Sequence, residues 1–429
     1  MAGARAAYQK AIDSGHPEAA PKAAFNLGAR LYEQGDIAGA KAAYQKAIDS
    51  GHPEWAPRAA GALGYLLGQQ GDVAGAKGAF QQAITSGRAD TAPWAAVSLG
   101  DLLEQQGDAA GARAAYQNAI DSGHTDAAPE AAVSLGNLLG RQGDAAGARA
   151  AYQKGIGSGH ADQAPRAAVN LGDLLGQQGD MAGARAAYRK AIDSGHPEWA
   201  PRAAGALGYL LWQQGDLVGV KGAFQQAIAS GHADAAPWAA VGLGDLLGQQ
   251  GDVAGARAAY QKAIASGHRD HSPAAEVQLG ELLRQQGDVA GAKAAYQQAM
   301  ASGHPEWAPR AAVGLGYLLG RQGDAAGARA AYQRAIDSGH PDAAPRAFHA
   351  LGFLLQVQGD VAGARAAYQR AVDSGHPDQA PRAAGALGDL LWQQGDVAGA
   401  RAAYQKAIAS GHPEAAAMAA HSLRSLPWQ

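Results

Sequence analysis

Histidine recurs at 16, 52, 124, 160, 196, 232, 268, 304, 340, 376 and 412, each directly after a glycine. Imidazoles at regular spacing are the raw material of metal sites and proton relays. Tyrosine makes a second row at 8, 44, 116, 152, 188, 260, 296, 332, 368 and 404, with Phe80 in the same register, and aromatic rings in a row could stack a cofactor. Glycine-rich stretches such as GYLLGQQGD could cradle phosphate on backbone amides. None of these converges. One histidine per unit leaves the thickness of a helical hairpin between neighbours, so they cannot gather on one ion, and they are expected to pack the loop or cap a helix C-terminus. No strand precedes the glycines, so they read as helix punctuation, and core packing is the reading for the tyrosines. His271 and His349 depart singly, with no evident partner. No Ser-His-Asp or paired-carboxylate arrangement rises above what the repetition imposes. The expectation is a non-enzyme with no metal and no cofactor.

The elements that position these residues follow from one number. Glycine stands at 15, 51, 87 and onward to 411 with a spacing of 36 residues that never slips. A strict period of this length means one supersecondary unit copied many times. In the unit Pro57–Ala92, proline at the first helical turn loses no hydrogen bond, and helix A runs from there to Gln70. Gly71 ends it and Asp72 is placed to cap helix B, which runs from about Val73 to Ser86 and stops at Gly87. The short break forces the pair into an antiparallel hairpin. Ala59, Leu63, Leu66, Leu67 and Gln70 share one face of helix A; Ala76, Phe80, Ala83 and Ile84 share one face of helix B. Gly64 leaves the gap that admits the bulky Phe80.

Leu63-Gly64, Ala76, Phe80 and Ala83 stand in the spacing of the tetratricopeptide (TPR) repeat, which the chain resembles over nearly its whole length; LGxLLxxxGD is similar to Sel1-like relatives. The departures are a 36-residue period instead of 34, Ala60 where that family often has tryptophan, and a displaced proline. The resemblance implies an all-α fold: a right-handed α-α superhelix, or solenoid, of about eleven stacked helical hairpins. Expected boundaries are a partial repeat (helix B only) over 1–20, eleven repeats over 21–416, and a capping helix and tail over 417–429, where Arg424 stands in place of the usual glycine and Pro427 stops the helix. The lone N-terminal helix B suggests a start inside a longer array.

Net charge is -3 with 17% charged residues of both signs, so no basic excess exists to neutralise nucleic-acid phosphates. No cysteine is present, and no apolar run approaches membrane-spanning length. The expectations are a cytoplasmic protein with no nucleic-acid and no membrane partner.

Copies of the unit disagree mainly at positions 2, 5, 6, 9, 12 and 13 of helix A, a stripe nearly opposite the leucine face. Position 2 includes Arg58, Trp94, Arg166, Arg202, Trp238, Arg310, Arg346 and Arg382; position 9 includes Tyr65, Asp101, Asp173, Tyr209, Asp245, Tyr317, Phe353 and Asp389; position 12 adds Trp212 and Trp392. In the family this stripe resembles the concave, ligand-facing wall, and exposed Trp, Tyr and Arg are residues that anchor interfaces. The charges keep a second reading, a solvated Arg–Asp lattice between units. Trp55, Trp199 and Trp307 read as staples of the loop before each helix. Similarity of 57–128 to 201–272 records duplication of a four-unit block. Three functions follow in order: a scaffold holding a protein or peptide segment along the helix A face, a spacer or self-assembling rod joined end to end through the uncapped N-terminus, and, least favoured, a modular RNA reader.

Overall fold

The computed structural model describes residues 2–426, so Pro427 lies outside the described residues. It divides into two compact units, residues 1–216 and 217–429. The first holds α1 (Ala2–Asp13), α2 (Ala19–Glu33), α3 (Ile37–Asp49), α4 (Trp55–Gln69), α5 (Val73–Thr85), α6 (Ala92–Gln105), α7 (Ala109–Asp121), α8 (Ala127–Arg141), α9 (Ala145–Gly157), α10 (Gln163–Gln177), α11 (Met181–Asp193) and α12 (Trp199–Gln213). The second holds α13 (Leu217–Ala229), α14 (Ala235–Gln249), α15 (Val253–Ala265), α16 (His271–Gln285), α17 (Val289–Ala301), α18 (Trp307–Arg321), α19 (Ala325–Asp337), α20 (Ala343–Val357), α21 (Val361–Asp373), α22 (Gln379–Gln393), α23 (Val397–Ala409) and α24 (Pro413–Arg424). Among the described residues every element is a helix, and each unit is a solenoid of stacked hairpins.

Local chemistry sets each hairpin. Gly71 adopts φ +77°, open to glycine at no steric cost, and closes the first helix, while the Asp72 carboxylate accepts from the Gly75 N–H at 2.9 Å to open the second. Ala59, Leu63, Leu66 and Leu67 are buried against Ala76, Phe80 and Ala83. A Cβ at Gly64 would stand 2.7 Å from the Phe80 ring, so glycine there is a packing requirement. In α24 the equivalent residue is Arg424, so an aromatic second helix could not pack there as it does in the other repeats.

Two expectations change. Gln70 is exposed, because the first helix ends at Gln69 and the chain turns away before that residue reaches the leucine face. Helices α4, α12 and α18 begin two residues ahead of their proline, so Trp55, Trp199 and Trp307 are first-turn helical residues and not loop.

Within each unit, successive first helices touch one another as well as their own partners, whereas among the described residues no two successive second helices do. The first helices therefore line the inner side of the stack and the second helices its outer side. No helix among the described residues is long and apolar enough to cross a membrane.

Candidate ligand-binding wall

The inner stripe is built by helical spacing: Trp55, Arg58 and Tyr65 lie three and seven residues apart along one side of α4. Arg58 lies over the Trp55 ring at 5.0 Å and pairs with Glu54 at 2.9 Å and Asp90 at 2.8 Å. Arg310 repeats the pattern over Trp307, joined to Glu306 and to Asp342 at 3.0 Å. Arg202 lies over Trp199 and pairs with Glu198; Arg166 reaches the same ring from the preceding repeat. Arg382 pairs with Glu414 at 2.9 Å. Arg346 is exposed, with neither a carboxylate within 4 Å nor a ring beneath it among the described residues.

These pairings replace the Arg–Asp lattice considered from the sequence. The carboxylates that meet the arginines occupy position 34, which is Asp or Glu in every copy from Glu18 to Glu414. Sequence reading missed them, though a position that is acidic in every copy was the available signal.

The position 9 acids serve a different partner. The hydroxyls of Tyr116, Tyr188, Tyr260 and Tyr404 donate to Asp101, Asp173, Asp245 and Asp389 at 2.6–2.7 Å, always 15 residues apart. Burial, followed by the neighbouring carboxylate, pushes the Tyr188 and Tyr260 hydroxyls well above the ordinary phenol range. Burial also raises Asp173 and Asp245, against the lowering effect of the donated hydrogen bond. Where position 9 is Tyr65, the residue 15 further on is Phe80, which has no hydroxyl to donate.

Aromatics at positions 2, 9 and 12 of the first helices reach solvent. Tyr65 is 55% exposed, Trp94 39%, Tyr317 46%, Phe353 64% and Trp392 38%. Trp94 meets the His124 ring edge-on at 5.9 Å, and Tyr209 stacks on Trp212 at 6.2 Å; Trp212 and Trp238 are half-buried. Between α4 and α6 lies a hollow of about 400 Å³ lined by Arg58, Gly61, Ala62, Phe80 and Trp94. Beside it a second, of about 230 Å³, is bounded by Tyr65, Phe80 and Asp101. Small residues at 61, 62 and 64 make the floor low enough for both.

The histidine row caps helix N-termini, opposite to the expected C-terminal role. His340 Nδ1 accepts the N–H groups of Asp342 and Ala343 at 3.1 Å, and Nε2 meets Glu306 at 2.9 Å. His376 does the same with Asp342 at 3.1 Å, so His340, Glu306, Arg310, Asp342 and His376 form one chain of polar contacts across three repeats. The glycine before each histidine has already reversed the chain, which aims the imidazole forward at the next helix. Hydrogen bonding to histidine holds Glu306 and Asp342 below the usual carboxylate range. His349 is half-buried beside Tyr368, and burial lowers its pKa; His271 stacks on His268 at 4.5 Å and is lowered by burial too. No group of three His, Cys, Asp or Glu among the described residues is placed to hold a metal ion.

Stacked hairpins with an inner wall of variable side chains define an α-solenoid repeat scaffold. The tetratricopeptide-repeat family model matches residues 2–54, 25–93, 61–132, 97–167, 133–198, 169–219, 221–272, 277–347 and 349–417. The chain belongs to the tetratricopeptide-repeat family, whose scaffold fold commonly mediates protein–protein interaction. A search of curated proteins gives no significant match. Among solved structures the chain is similar to c5321, a protective antigen of uropathogenic Escherichia coli with an SLR fold, at 20% identity and TM-score 0.48, covering 98% of this chain and 89% of that one. It is also similar to yeast Tom70 (12% identity, TM-score 0.43, 94% and 95% covered) and to the APC/C hetero-tetramer Cut9–Hcn1 (13%, 0.41, 94% and 95%).

Proposed function

We propose that this protein is a non-enzymatic scaffold that holds an extended protein or peptide segment along the inner wall of its first helices. The observation that carries the reading is the exposure of Tyr65, Trp94, Tyr317, Phe353 and Trp392 on that wall. Large aromatics left in solvent by a rigid framework gain most from a partner that covers them. The outer helices present mainly Ala, Gln, Lys and Arg to solvent, a poor anchor for the same purpose. Arg58, Arg310 and Arg382, tied to position 34 acids, hold the wall's edge in a fixed shape, which lowers the ordering cost of binding.

The test is panning of a random dodecapeptide display library on the full chain and on Tyr65→Ala/Trp94→Ala/Tyr317→Ala/Phe353→Ala. The scaffold reading predicts enrichment on the wild type and its loss on the variant, with helical content unchanged by circular dichroism. Equal enrichment on both would overturn it.

A further inference from the structure

We infer that α18, α20 and α22 form a subsite for a segment that carries an acidic side chain next to large apolar ones. This deepens, and rests on, the scaffold reading above. The apolar half of the argument is a patch on three successive inner helices. Tyr317 on α18 and Phe353 on α20 occupy the same repeat position, Val357 lies one turn beyond Phe353, and Trp392 stands on α22. Phe353 and Val357 are 64% and 69% exposed. The Tyr317 ring meets Tyr332 edge-on at 5.7 Å, fixing its base while its upper edge stays in solvent. Gln356 Nε2 donates to Gln393 Oε1 at 3.4 Å and ties the ends of α20 and α22 beside the patch.

The charged half is Arg346. It precedes Phe353 by seven residues, so both lie on one stripe of α20, two turns apart. Arg58, Arg310 and Arg382 at its position each meet the acid 32 residues later. For Arg346 that acid is Asp378, whose carboxylate faces His412 at 3.5 Å, and the acid just before α20, Asp342, is held by Arg310 and His376. Asp389 on α22 accepts from the Tyr404 hydroxyl, so each of these carboxylates has a partner of its own, and Arg346 acts on Asp342 only as a further nearby charge. Between Arg346 and Phe353 lies His349, its Nδ1 against Gln379 and its pKa lowered by burial, so it adds no competing charge at neutral pH. An exposed guanidinium beside an aromatic patch complements a carboxylate that arrives with apolar neighbours, and a lysine in its place would be repelled.

The experiment uses the full chain and two fluorescein-labelled decapeptides, one alternating Glu with Leu and one alternating Lys with Leu, read by fluorescence anisotropy. The glutamate peptide is expected to bind about tenfold more tightly than the lysine peptide, the worth of one charge-assisted contact. Arg346→Ala should erase that difference, and Arg346→Glu should reverse it. Arg346 is exposed, so the fold should tolerate both changes, and circular dichroism checks this. A lysine peptide binding equally well to the wild type, or an Arg346→Glu variant with unaltered preference, would overturn the inference. If the display library enriches peptides in a Phe353-dependent manner without acidic bias, the subsite falls and the scaffold reading stands. If nothing enriches, both fall.

Discussion

The Tyr260 hydroxyl donates a 2.7 Å hydrogen bond to the Asp245 carboxylate, joining the outer helix of a repeat to the inner wall through the core. Asp245 is half-buried and its pKa is pushed up by burial, so this bond offsets the cost of holding a carboxylate there. Tyr260→Phe should destabilise the protein by about 1 kcal/mol, because the acceptor remains and the donor is gone. Tyr260→Phe/Asp245→Ala should recover part of that loss. Urea unfolding of the three proteins checks both statements.

Gly244 and Gly78 are both helical glycines with opposite expected behaviour. A Cβ at Gly244 would collide with the Tyr260 ring, so Gly244→Ala should cost about 1–3 kcal/mol. Gly78 has nothing within 4 Å, so Gly78→Ala should stabilise by about 0.5–1 kcal/mol through helix propensity alone. Thermal unfolding of the two single variants decides the matter.

Glu276 stands where neighbouring repeats carry Ala240 and Ala312, and its Oε2 is buried without a hydrogen-bond partner. Burial pushes its pKa above the usual carboxylate range. A raised carboxyl pKa means the folded state binds more protons, so its penalty is full above the folded pKa and fades as pH falls towards the unfolded value. Glu276→Gln should therefore raise Tm at pH 7, with the gain shrinking as pH falls and vanishing below about 4. Parallel melting curves across that range provide the check.

His340 supplies an acceptor to two N–H groups at the start of α20 and a donor to Glu306. His340→Ala should cost about 1–2 kcal/mol, and His340→Asn, which keeps an acceptor, should restore part of it. Glu306 and Asp342, held low by their histidine partners, contribute stability that is present above the unfolded carboxylate pKa and lost as pH falls through their folded values. Acid unfolding of His340→Ala should accordingly be less steep than that of the wild type, most clearly at low salt.

The hairpin was legible because its determinants are local. Gly71 and Asp72 announce the break and the cap, and Gly64 with Phe80 announces close packing, all within one unit. What escaped depends on contacts between units. The Arg58–Asp90 and His340–Glu306 pairs span 32 and 34 residues, a separation that only the stacking geometry brings together. Asp173 and Asp245 pair inside one unit, 15 residues from their tyrosines, but that bond crosses the hairpin core from helix to helix, which the spacing along a single helix does not show. The exposed Tyr65, Trp94, Tyr317 and Phe353 were readable from the opposite direction: they fall on a stripe for which the repeat offers no core.

The claim that the inner wall receives the partner is tested most directly by photo-crosslinking. Benzoylphenylalanine would be placed at position 353 on α20 and, separately, at the exposed position 366 on α21, in the presence of a library-selected peptide. Crosslinking at 353 and none at 366 is the predicted result. Crosslinking at 366 with none at 353 would contradict it.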